Sequence, residues 1–507
     1  MSSEAHAPDA TASPAERRAF GRAQRTRCAL GQWAQAPQPD AKDRDPLGWL
    51  KASNRGRVPE LVPVRHGRML VSPFTFYRGA ASLMANDLAR LPHSGIATQL
   101  CGDAHLANFG FFASPERALV FDINDFDETL QGPFDWDVRR LATSFVVAAR
   151  DRGFKPRIGR EAVEHLAEAY RDRMRAFARM DTLEAWYARL TSQTLLKLGA
   201  EDATELAVIK KARRSTSRVF ADSATETVDG RLMIRDQPPF VYHDARATAR
   251  EIKRFRAGLP AFLAQYRDSL PPERQRLFDR YELHDVAVLT PGVGSVGRRC
   301  FLLLFVADRA HPLFLQCKEA GDSVLEAPLG AAPGAASPGQ RVVPGQRVVP
   351  GQRVVQGQRV VPGQRVVPGQ RLVQGQRVVQ GQRVVQGQRL AQAASDVFLG
   401  WAQGPGGRGF YVRQLRDMKA SYKLEDFKPV DLLEFAEACG YSLARAHAKG
   451  GDAWAIDGYL GRSKTFNTAL ADFAEGYADV NQADWRRLKK AVAAGKAAAV
   501  EADDAAS

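Results

Sequence analysis

The spacing of hydrophobic and polar residues predicts that helices account for much of this chain. Apolar side chains recur every three or four residues over several stretches, which is the pattern of a helix with one buried face. These stretches are 80–91, 136–150, 161–180, 183–198, 245–259, 390–400, 431–448, 467–477 and 484–499. The stretch 431–448 ends in His447 and is followed by Lys449 and two glycines, which is a stop signal. His447 is therefore interpreted as a helix-end residue and not as a ligand.

Four short apolar runs predict strands in addition to these helices. They are 118–121, 300–306, 312–317 and 410–415. The first run is followed by an acidic segment, 122–128, and the third run leads directly into Lys318. Functional side chains are often positioned where a rigid element ends, so both places are candidates for chemistry. The combination of helices and strands predicts a mixed α+β fold.

The stretch 99–110, which reads Gln-Leu-Cys-Gly-Asp-Ala-His-Leu-Ala-Asn-Phe-Gly, concentrates polar chemistry in a few residues. Asp103 and Asn108 have the spacing of the Asp and Asn in the kinase catalytic loop. There the Asp handles the acceptor hydroxyl and the Asn holds a magnesium ion. We therefore take Asp103 and His105 as the catalytic candidates, with His105 serving mainly in packing and hydrogen bonding of the loop. The alternative is that these two residues only cap a turn.

The sequence Gly-Val-Gly-Ser-Val-Gly over 292–297 matches the Gly-x-Gly-x-x-Gly pattern of phosphate-binding loops. In a dinucleotide-binding fold such a loop opens a helix, whereas here two predicted strands follow. A glycine loop between strands, followed by a strand that carries a lysine, is the arrangement that covers ATP phosphates in kinases. The predicted nucleotide-binding residues are therefore Gly292, Gly294, Ser295, Gly297 and Lys318.

Phosphoryl transfer to a hydroxyl also requires oxygen ligands for magnesium. The sequence offers Asn108 and Asp125 for this role, with Asp122 as the alternative carboxylate. Asp125 is preferred because it begins a loop that ends at Asp137, and an acid at that later position supports the catalytic loop in the kinase fold. The predicted cofactors are thus ATP and magnesium.

Two further charged residues are candidates for the same site. Glu326 is the nearest candidate for the helix glutamate that pairs with the lysine of an active kinase, although Pro328 follows it. Arg78 is suited to holding a phosphate or a carboxylate, and the alternative for Arg78 is an ion pair with a structural acid.

Residues 339–389 contain nine Gly-Gln-Arg units at a spacing of six. In a helix each step of six rotates the apolar pair by about 600°, which spreads the valines over every face. Glycine in every unit and proline in several also oppose a continuous helix. The array is therefore interpreted as a mobile insertion, and a hexapeptide β-helix fits it poorly.

The net charge of +15 suggests nucleic-acid binding, but this interpretation depends on where in the chain the positive charges lie. The repeats hold nine arginines and no acid, so the rest of the chain carries only +6. The five cysteines are far apart and show no zinc-binding spacing, which predicts a reduced protein without a disulfide framework. No apolar run reaches the roughly 20 residues of a membrane helix, and no signal peptide is evident, so a cytoplasmic protein is expected.

Several longer motifs resemble a bacterial family known as domain of unknown function 2252, over about residues 45–480. The matching segments are 72–74, 77–79, 102–110, 124–128, 292–297 and 316–320. More distantly, the catalytic stretch resembles aminoglycoside and choline kinase-like phosphotransferases, whose loop reads His-Gly-Asp-x-His-x-x-Asn and is followed by Ile-Asp-Phe. Cys101 stands in place of the first His of that loop.

This resemblance implies a protein-kinase-like fold with two lobes, but the order of its parts is changed. Ordinary kinases place the glycine loop and the lysine before the catalytic loop, whereas here Asp103 comes long before Lys318. A circular permutation, with its break between residue 448 and the catalytic loop, restores the cyclic order of all the parts. We therefore expect a permuted kinase-like fold in which Lys318 lies close to Asp103.

The expected domains follow from this order. They are a flexible arm over 1–45, a catalytic-loop and metal-loop segment with helices over 46–285, a nucleotide-binding segment over 286–325 and 388–420, a mostly disordered repeat insertion over 326–387, and closing helices over 421–507.

The leading functional hypothesis is an ATP- and magnesium-dependent phosphotransferase that acts on a hydroxyl of a small molecule or a protein. One alternative is a degenerate kinase-like regulator that binds nucleotide without turnover. A second alternative is a metal-dependent phosphoesterase built on Asp, Asn and His. The expected partners are the nucleotide and the acceptor, without a membrane, and nucleic acid enters only through the charge of the arginine repeats.

Overall fold

The computed structural model describes residues 11–197, 203–238, 240–243, 249–290, 292–308, 311–331, 379–415, 418–420 and 422–500. Within these ranges the predicted mixed α+β class is confirmed. The helices are α1 (Pro14–Ala23), α2 (Pro46–Ser53), α3 (Val62–Leu70), α4 (Pro73–Gly79), α5 (Ala81–Leu88), α6 (Phe134–Asp151), α7 (Pro156–Arg179), α8 (Thr182–Tyr187), α9 (Ser192–Lys197), α10 (Ala203–Arg214), α11 (Ser217–Ala224), α12 (Ala249–Ala257), α13 (Leu259–Asp268), α14 (Pro272–Phe278), α15 (Glu326–Ala331), α16 (Gln380–Ala391), α17 (Pro429–Gly450), α18 (Ala453–Leu460) and α19 (Thr465–Ala493). The strands are β1 (Ala97–Leu100), β2 (Phe109–Ala113), β3 (Leu119–Ile123), β4 (Leu130–Pro133), β5 (Thr225–Val228), β6 (Arg231–Ile234), β7 (Val241–Tyr242), β8 (Glu282–Leu289), β9 (Cys300–Ala307), β10 (His311–Ala320), β11 (Gly400–Gln403) and β12 (Gly409–Gln414).

Six strands form one antiparallel sheet in the order β11-β12-β10-β9-β8-β7. The central strand β9 is apolar along its whole length, and all of its residues are buried. Successive side chains of a strand point to opposite faces. Phe301 and Leu303 therefore pack against α12 to α14 on one face, while Leu302 and Leu304 pack with α11 and β6 on the other. Both faces are covered, which explains a continuous apolar run in place of an alternating one.

The same alternation sets the direction of Lys318 in β10. Leu315 and Cys317 belong to the core under α12 to α14, so Lys318 points to the opposite face. In the register of the sheet Lys318 lies between Cys300 of β9 and Tyr411 of β12. Because strands flank Lys318 on both sides in the sheet, its ammonium group can meet acidic partners only on the face to which its side chain points.

A larger core holds the remaining parts of the chain together. It joins α5, α6, α7, α17, α18 and α19 with two short ribbons, β1 with β4 and β2 with β3. Helix α6 is buried at nearly every residue, and α17 packs along α7. This core supports the ribbons whose ends carry the stretch 101–108 and the segment 124–128.

The expected flexible arm over 1–45 differs from the structure in residues 11–45. Helix α1 packs against α18, and Cys28 and Trp33 are fully buried. The Trp33 indole Nε1 donates a hydrogen bond of 2.8 Å to the Tyr459 hydroxyl. Isolated apolar residues of this kind give no periodic signal, so the sequence pattern missed the contact. Residues 1–10 lie outside the described residues.

The expected boundary between the repeats and the following helix is wrong. Helix α16 begins at Gln380, inside the array, and ends at Ala391, so the helix predicted over 390–400 is mostly loop. A Cβ atom on Gly381 would lie 2.1 Å from the Phe410 carbonyl oxygen, so glycine allows the helix to pack closely on β12. That contact and the burial of Val384 offset the helix penalty of glycine, which is about 1 kcal/mol. Repeat residues 339–378 lie outside the described residues.

Two other predicted helices have different bounds. Within the helix predicted over 183–198, residues up to 197 form two short helices, α8 and α9, and residue 198 lies outside the described residues. The two helices predicted over 467–499 are the single helix α19. Residues 245–248 of the helix predicted over 245–259 lie outside the described residues. Among the helices of the described ranges, none combines the length and the apolar character needed to cross a bilayer.

Candidate functional site

The predicted catalytic loop lies between β1 and β2 and is held from below by Asp137 of α6. The backbone N–H groups of Cys101 and Gly102 donate to the two carboxylate oxygens of Asp137, at 2.7 and 3.1 Å. Asp137 is buried, as is Cys101. The support expected from an acid at this position is therefore present, and it acts through the loop backbone and does not depend on a histidine at position 101.

His447 strengthens this support from the far side. It lies in the last turn of α17, as predicted for a helix-end residue, and its side chain is fully buried. Its Nε2 lies 3.3 Å from a carboxylate oxygen of Asp137, and its Nδ1 shares a hydrogen bond of 2.8 Å with the Tyr170 hydroxyl. A carboxylate oxygen accepts only, so the hydrogen bond to Asp137 requires a proton on Nε2 of His447. Three buried groups thus fix the loop as one hydrogen-bonded unit.

Asp103 lies at the end of that loop beside Arg140. Arg140 Nε donates to Asp103 Oδ1 at 2.6 Å, and one of its terminal nitrogens also donates to the Tyr77 carbonyl oxygen at 3.0 Å. The side chain of Asp103 remains 21% exposed, so a ligand can reach it. Burial raises the pKa of the Asp103 carboxyl, while Arg140 and Arg78 oppose that rise. A carboxylate with a raised pKa is a better proton acceptor.

His105, the other catalytic candidate, is almost completely buried. Its Nε2 is 3.8 Å from an Asp103 carboxylate oxygen, which is beyond hydrogen-bonding distance. Its buried Nδ1 has no hydrogen-bond partner in the described part of the chain. Burial, followed by the charges of Arg78 and Arg140, holds the pKa of His105 well below its usual range. The imidazole is therefore neutral at pH 7 and contributes packing to the loop.

Asn108 links the catalytic loop to the acidic segment after β3. Its Nδ2 donates to the Asp103 carbonyl oxygen at 2.9 Å, and its own carbonyl oxygen accepts from the backbone N–H of Asn124 at 2.7 Å. Because the amide nitrogen is engaged in the loop, the amide oxygen is the atom that Asn108 offers to a ligand.

Lys318 meets the acidic segment directly. Its ammonium group forms an ion pair with Asp127 and lies 3.8 Å from a carboxylate oxygen of Asp125. The Tyr411 hydroxyl donates to the other oxygen of Asp127 at 2.6 Å. Lys318 is buried, whereas the Asp125 carboxylate is 30% exposed. Two parts of the chain that are far apart in sequence therefore meet at one acidic pair.

The pKa values of the two carboxylates in this pair are shifted in opposite directions. Burial opposes ionisation of both, but Lys318 and the hydrogen bonds from Lys318 and Tyr411 lower the pKa of Asp127 to about 2. Burial and the neighbouring charge of Asp127 raise the pKa of Asp125. Asp125 is thus a partly exposed carboxylate repelled by its neighbour, and an added cation would relieve that repulsion.

Magnesium fits the donors at this position. Asn108 offers an amide oxygen and Asp125 a carboxylate, and magnesium is commonly bound by one or two such groups together with substrate phosphates and water. Asp127 lies two residues beyond Asp125 and is the closer partner of Lys318, which the sequence did not reveal. The described residues contain no group of three His, Cys, Asp or Glu placed to hold a metal by themselves.

Asp122, the alternative metal ligand, is engaged elsewhere. It is fully buried in β3, where both of its oxygens accept from one Arg445 nitrogen at 3.1 and 2.9 Å. The Ala393 backbone N–H also donates to it at 2.6 Å. Asp122 therefore ties β3 to α17 and to the end of α16, and the structure assigns it no part in the acidic pair.

The glycine loop follows β8 and contacts the N-terminal helices. Gly292 and Gly294 pack against Arg78 of α4, and Ser295 closes a short 3₁₀ turn. Gly297 has a φ of +85°, which favours glycine, and its carbonyl oxygen accepts from the Val58 backbone N–H at 2.8 Å. The strand, loop, strand and lysine order expected from the sequence is present.

Glu326 does not pair with Lys318 in this structure. It begins α15, where its carboxylate accepts from the Ser323 backbone N–H at 3.3 Å. The helix that reaches the acidic segment is α16, and the residue that does so is Arg383. Arg383 donates to the backbone carbonyl oxygens of Asp127 and Gly321, both at 2.9 Å. A repeat-derived arginine thus joins the acidic segment 124–128 to the end of β10.

The comparisons with known proteins identify the family of the chain but no activity. No curated protein and no solved structure matches it. The family model described as an uncharacterized protein conserved in bacteria, DUF2252, matches residues 57–359 and 370–491. These ranges include the catalytic loop, the acidic segment, the glycine loop and Lys318. The chain belongs to the DUF2252 family.

Proposed function

We propose that this protein is an ATP- and magnesium-dependent phosphotransferase with a permuted kinase-like arrangement. The observation that carries the proposal is the meeting of Lys318 with Asp125 and Asp127, beside a loop that presents Asp103 and Asn108. Phosphoryl transfer depends mainly on positioning and charge stabilisation, and these groups supply both.

Each residue has a separate task in this proposal. Asp103 orients the acceptor hydroxyl and takes its proton, with its free oxygen available because Arg140 holds the other. Lys318 supplies the cation for the phosphate oxygens, and Asn108 and Asp125 are the ligands for magnesium. When bound, that ion neutralises charge on the phosphate oxygens. The glycine loop covers the same region with backbone.

Nucleotide binding is the first test. Calorimetric titration with ATP and magnesium should give saturable binding in the wild type at concentrations below about 1 mM. Lys318→Met and Asp125→Asn should each weaken that binding at least about tenfold, because each removes a group proposed to hold the phosphates or the metal ion. Lys210→Met, at an exposed lysine of α10, is the matched control and should bind like the wild type. Absence of ATP binding in the wild type would end the proposal.

A regulator that binds nucleotide without turnover is the second candidate function. It is favoured by one observation, since Lys318 pairs with Asp127 and not with a helix glutamate in this structure. Release of inorganic phosphate from ATP separates the two candidates. Turnover that is lost in Asp103→Asn supports the enzyme, whereas binding with no turnover in the wild type supports the regulator.

The other interpretations have less support in the described residues. A two-metal phosphoesterase needs several clustered ligands, and none of the described clusters provides three. Nucleic-acid binding through the repeats would require repeat arginines whose guanidinium groups are free to contact phosphates. Arg389 donates to the Leu399 carbonyl oxygen at 2.5 Å, and Arg383 is bound to three carbonyl oxygens, so these two repeat arginines have structural partners.

A further inference from the structure

Arg78 has a position that the catalytic groups described above do not explain. It is the sixth residue of α4, and its terminal Nη2 lies 3.5 Å from the place of a Cβ on Gly292. Its backbone carbonyl oxygen is 3.4 Å from the place of a Cβ on Gly294. On the other side it is within electrostatic range of Asp103 and His105. The guanidinium group thus lies between the glycine loop and the catalytic loop.

The charge of Arg78 has no bonded partner among the described residues. Its Nε is buried without a hydrogen bond, and no described acid lies within ion-pair distance of it. Asp103 and Glu425 influence it only through space. The ion pair with a structural acid, which was the alternative expected for Arg78, is therefore not formed with any acid in the described part of the chain. The side chain of Arg78 is half-buried, and its Nε is buried without an acceptor, so an anion in the cleft would supply acceptors that the described residues do not.

Two neighbouring arginines, Arg140 and Arg65, differ from Arg78 in having hydrogen-bond partners within the protein. Arg140 is bound by Asp103 and by the Tyr77 carbonyl oxygen, and it lies over the Tyr77 ring at 4.5 Å. Arg65 donates to the Gly79 carbonyl oxygen at 2.7 Å and also to Asn54. Arg140 and Arg65 thus each hold backbone and side-chain groups through their terminal nitrogens. Arg78 makes no such bond among the described residues, and its Nε is buried without a partner.

Helix α4 holds Arg78 in a fixed place. Phe76 and Tyr77 are buried on either side of the helix, and the Tyr77 hydroxyl donates to the Arg140 carbonyl oxygen at 2.7 Å. Asn481 of α19 donates to the Pro73 carbonyl oxygen at 2.9 Å. Because α4 is held at both ends, the charge of Arg78 is positioned before any ligand binds. Such preorganised charges are the ones that stabilise the charge developing in a transition state.

We propose that Arg78 is a catalytic residue that binds the phosphoryl group during its transfer, as an arginine supplied within the same chain. This inference rests on the proposed function. In the transfer, a bond forms between the acceptor oxygen and the γ-phosphorus of ATP, and the bond from that phosphorus to the bridging oxygen breaks. The electron pair of the broken bond stays on ADP, and the acceptor proton passes to Asp103. Arg78 donates to the equatorial oxygens, where its planar fork matches two of them.

The test separates ground-state binding from binding of the transferring group. Wild type, Arg78→Lys and Arg78→Ala are compared with Arg55→Ala, which removes an exposed arginine of the same N-terminal segment. Affinities are measured for ATP with magnesium, for ADP with magnesium, and for ADP with magnesium and aluminium fluoride. Release of phosphate from ATP is measured with water as the acceptor. Thermal unfolding checks that each variant is folded, and Arg78→Lys keeps the charge if Arg78→Ala does not fold.

We expect both Arg78 variants to bind ATP and ADP within about threefold of the wild type. Their phosphate release should fall by about 10³-fold, the lower limit for loss of such an arginine. The gain in ADP affinity caused by aluminium fluoride should disappear, and added guanidinium ion should restore part of the turnover of Arg78→Ala. Arg55→Ala should match the wild type in every measurement.

Several outcomes would overturn the inference. The inference fails if Arg78→Ala retains its turnover of ATP. It also fails if Arg78→Ala lowers the affinities for ATP, for ADP and for the aluminium fluoride complex equally, because that result indicates a structural or ground-state role. A wild type that binds ATP but gains no ADP affinity from aluminium fluoride also overturns it and leaves the proposed function standing. A wild type that binds no ATP removes the proposed function and this inference together.

Discussion

Replacement of Lys318 by methionine removes a buried charge while keeping most of the side-chain volume. In the wild type the ammonium group pairs with Asp127 and lies 3.8 Å from Asp125, and the side chain is only 3% exposed. Loss of one partner of a buried ion pair typically costs 3–5 kcal/mol, because the other charge stays buried without compensation. Asp127 keeps its hydrogen bond from Tyr411 and is one-quarter exposed, so we expect about 3 kcal/mol at pH 7.

The pH dependence of this loss follows from the two carboxylates. In the wild type the pKa of Asp127 is lowered to about 2, so its ionised form stabilises the fold above about pH 4, and this contribution is lost as the pH falls toward 2. Without Lys318, burial is opposed only by the Tyr411 hydrogen bond and by Arg413, so the pKa of Asp127 is higher than in the wild type and the variant binds this proton at a higher pH. The difference in unfolding free energy should therefore be full at pH 7 and should shrink below about pH 5.

Urea unfolding at pH 7, 5.5 and 4, followed by tryptophan fluorescence, measures this difference. Lys210→Met on α10 serves as the control and should lose less than about 0.5 kcal/mol. A double-mutant cycle with Asp127→Asn should give a coupling free energy of about 1–3 kcal/mol. The ion-pair explanation is refuted if the loss in Lys318→Met is the same at all three pH values, because a loss of packing alone does not depend on pH.

Three further changes test other parts of the structure. Asp137→Ala frees the loop amides and should lower phosphate release by about 100-fold, with ATP affinity by calorimetry little changed. Gly381→Ala forces a methyl group into the β12 backbone and should cost about 1–3 kcal/mol in urea unfolding, whereas Gly31→Ala meets open space and should cost under about 0.5 kcal/mol. Arg445→Met leaves a buried carboxylate unpaired, so calorimetric melting should show about 3–5 kcal/mol of lost stability.

The sequence was informative where the chemistry depends on local pattern. The strand of Lys318 was recognisable because an apolar run of β10 is buried on both faces and ends in a charge. The polar loop 101–108 was recognisable because Asp103 and Asn108 fall within one turn region, and the hydrogen bond from the Asn108 amide to the Asp103 carbonyl oxygen explains their spacing. Both features are set by neighbours in the chain.

Features set by distant contacts were missed. His447 has no sequence signal that it touches Asp137, because the contact exists only when α17 packs beside α6. The choice of Asp127 as the partner of Lys318 depends on how β10 meets the segment after β3. The burial of Trp33 depends on α18 and α19. Tertiary packing decides each of these, and periodicity within one segment does not report it.

The origin of α16 within the repeats has a consequence for variation in the length of this protein. The helix uses the unit Gly-Gln-Arg-Val-Val-Gln over 381–386, and the unit over 375–380 has the same six residues. Gain or loss of whole units before residue 381 leaves the glycine, the arginine and the valine pair of the docked unit unchanged. A change in repeat number by whole units of six residues would therefore not alter the helix that joins the acidic segment 124–128 to β10.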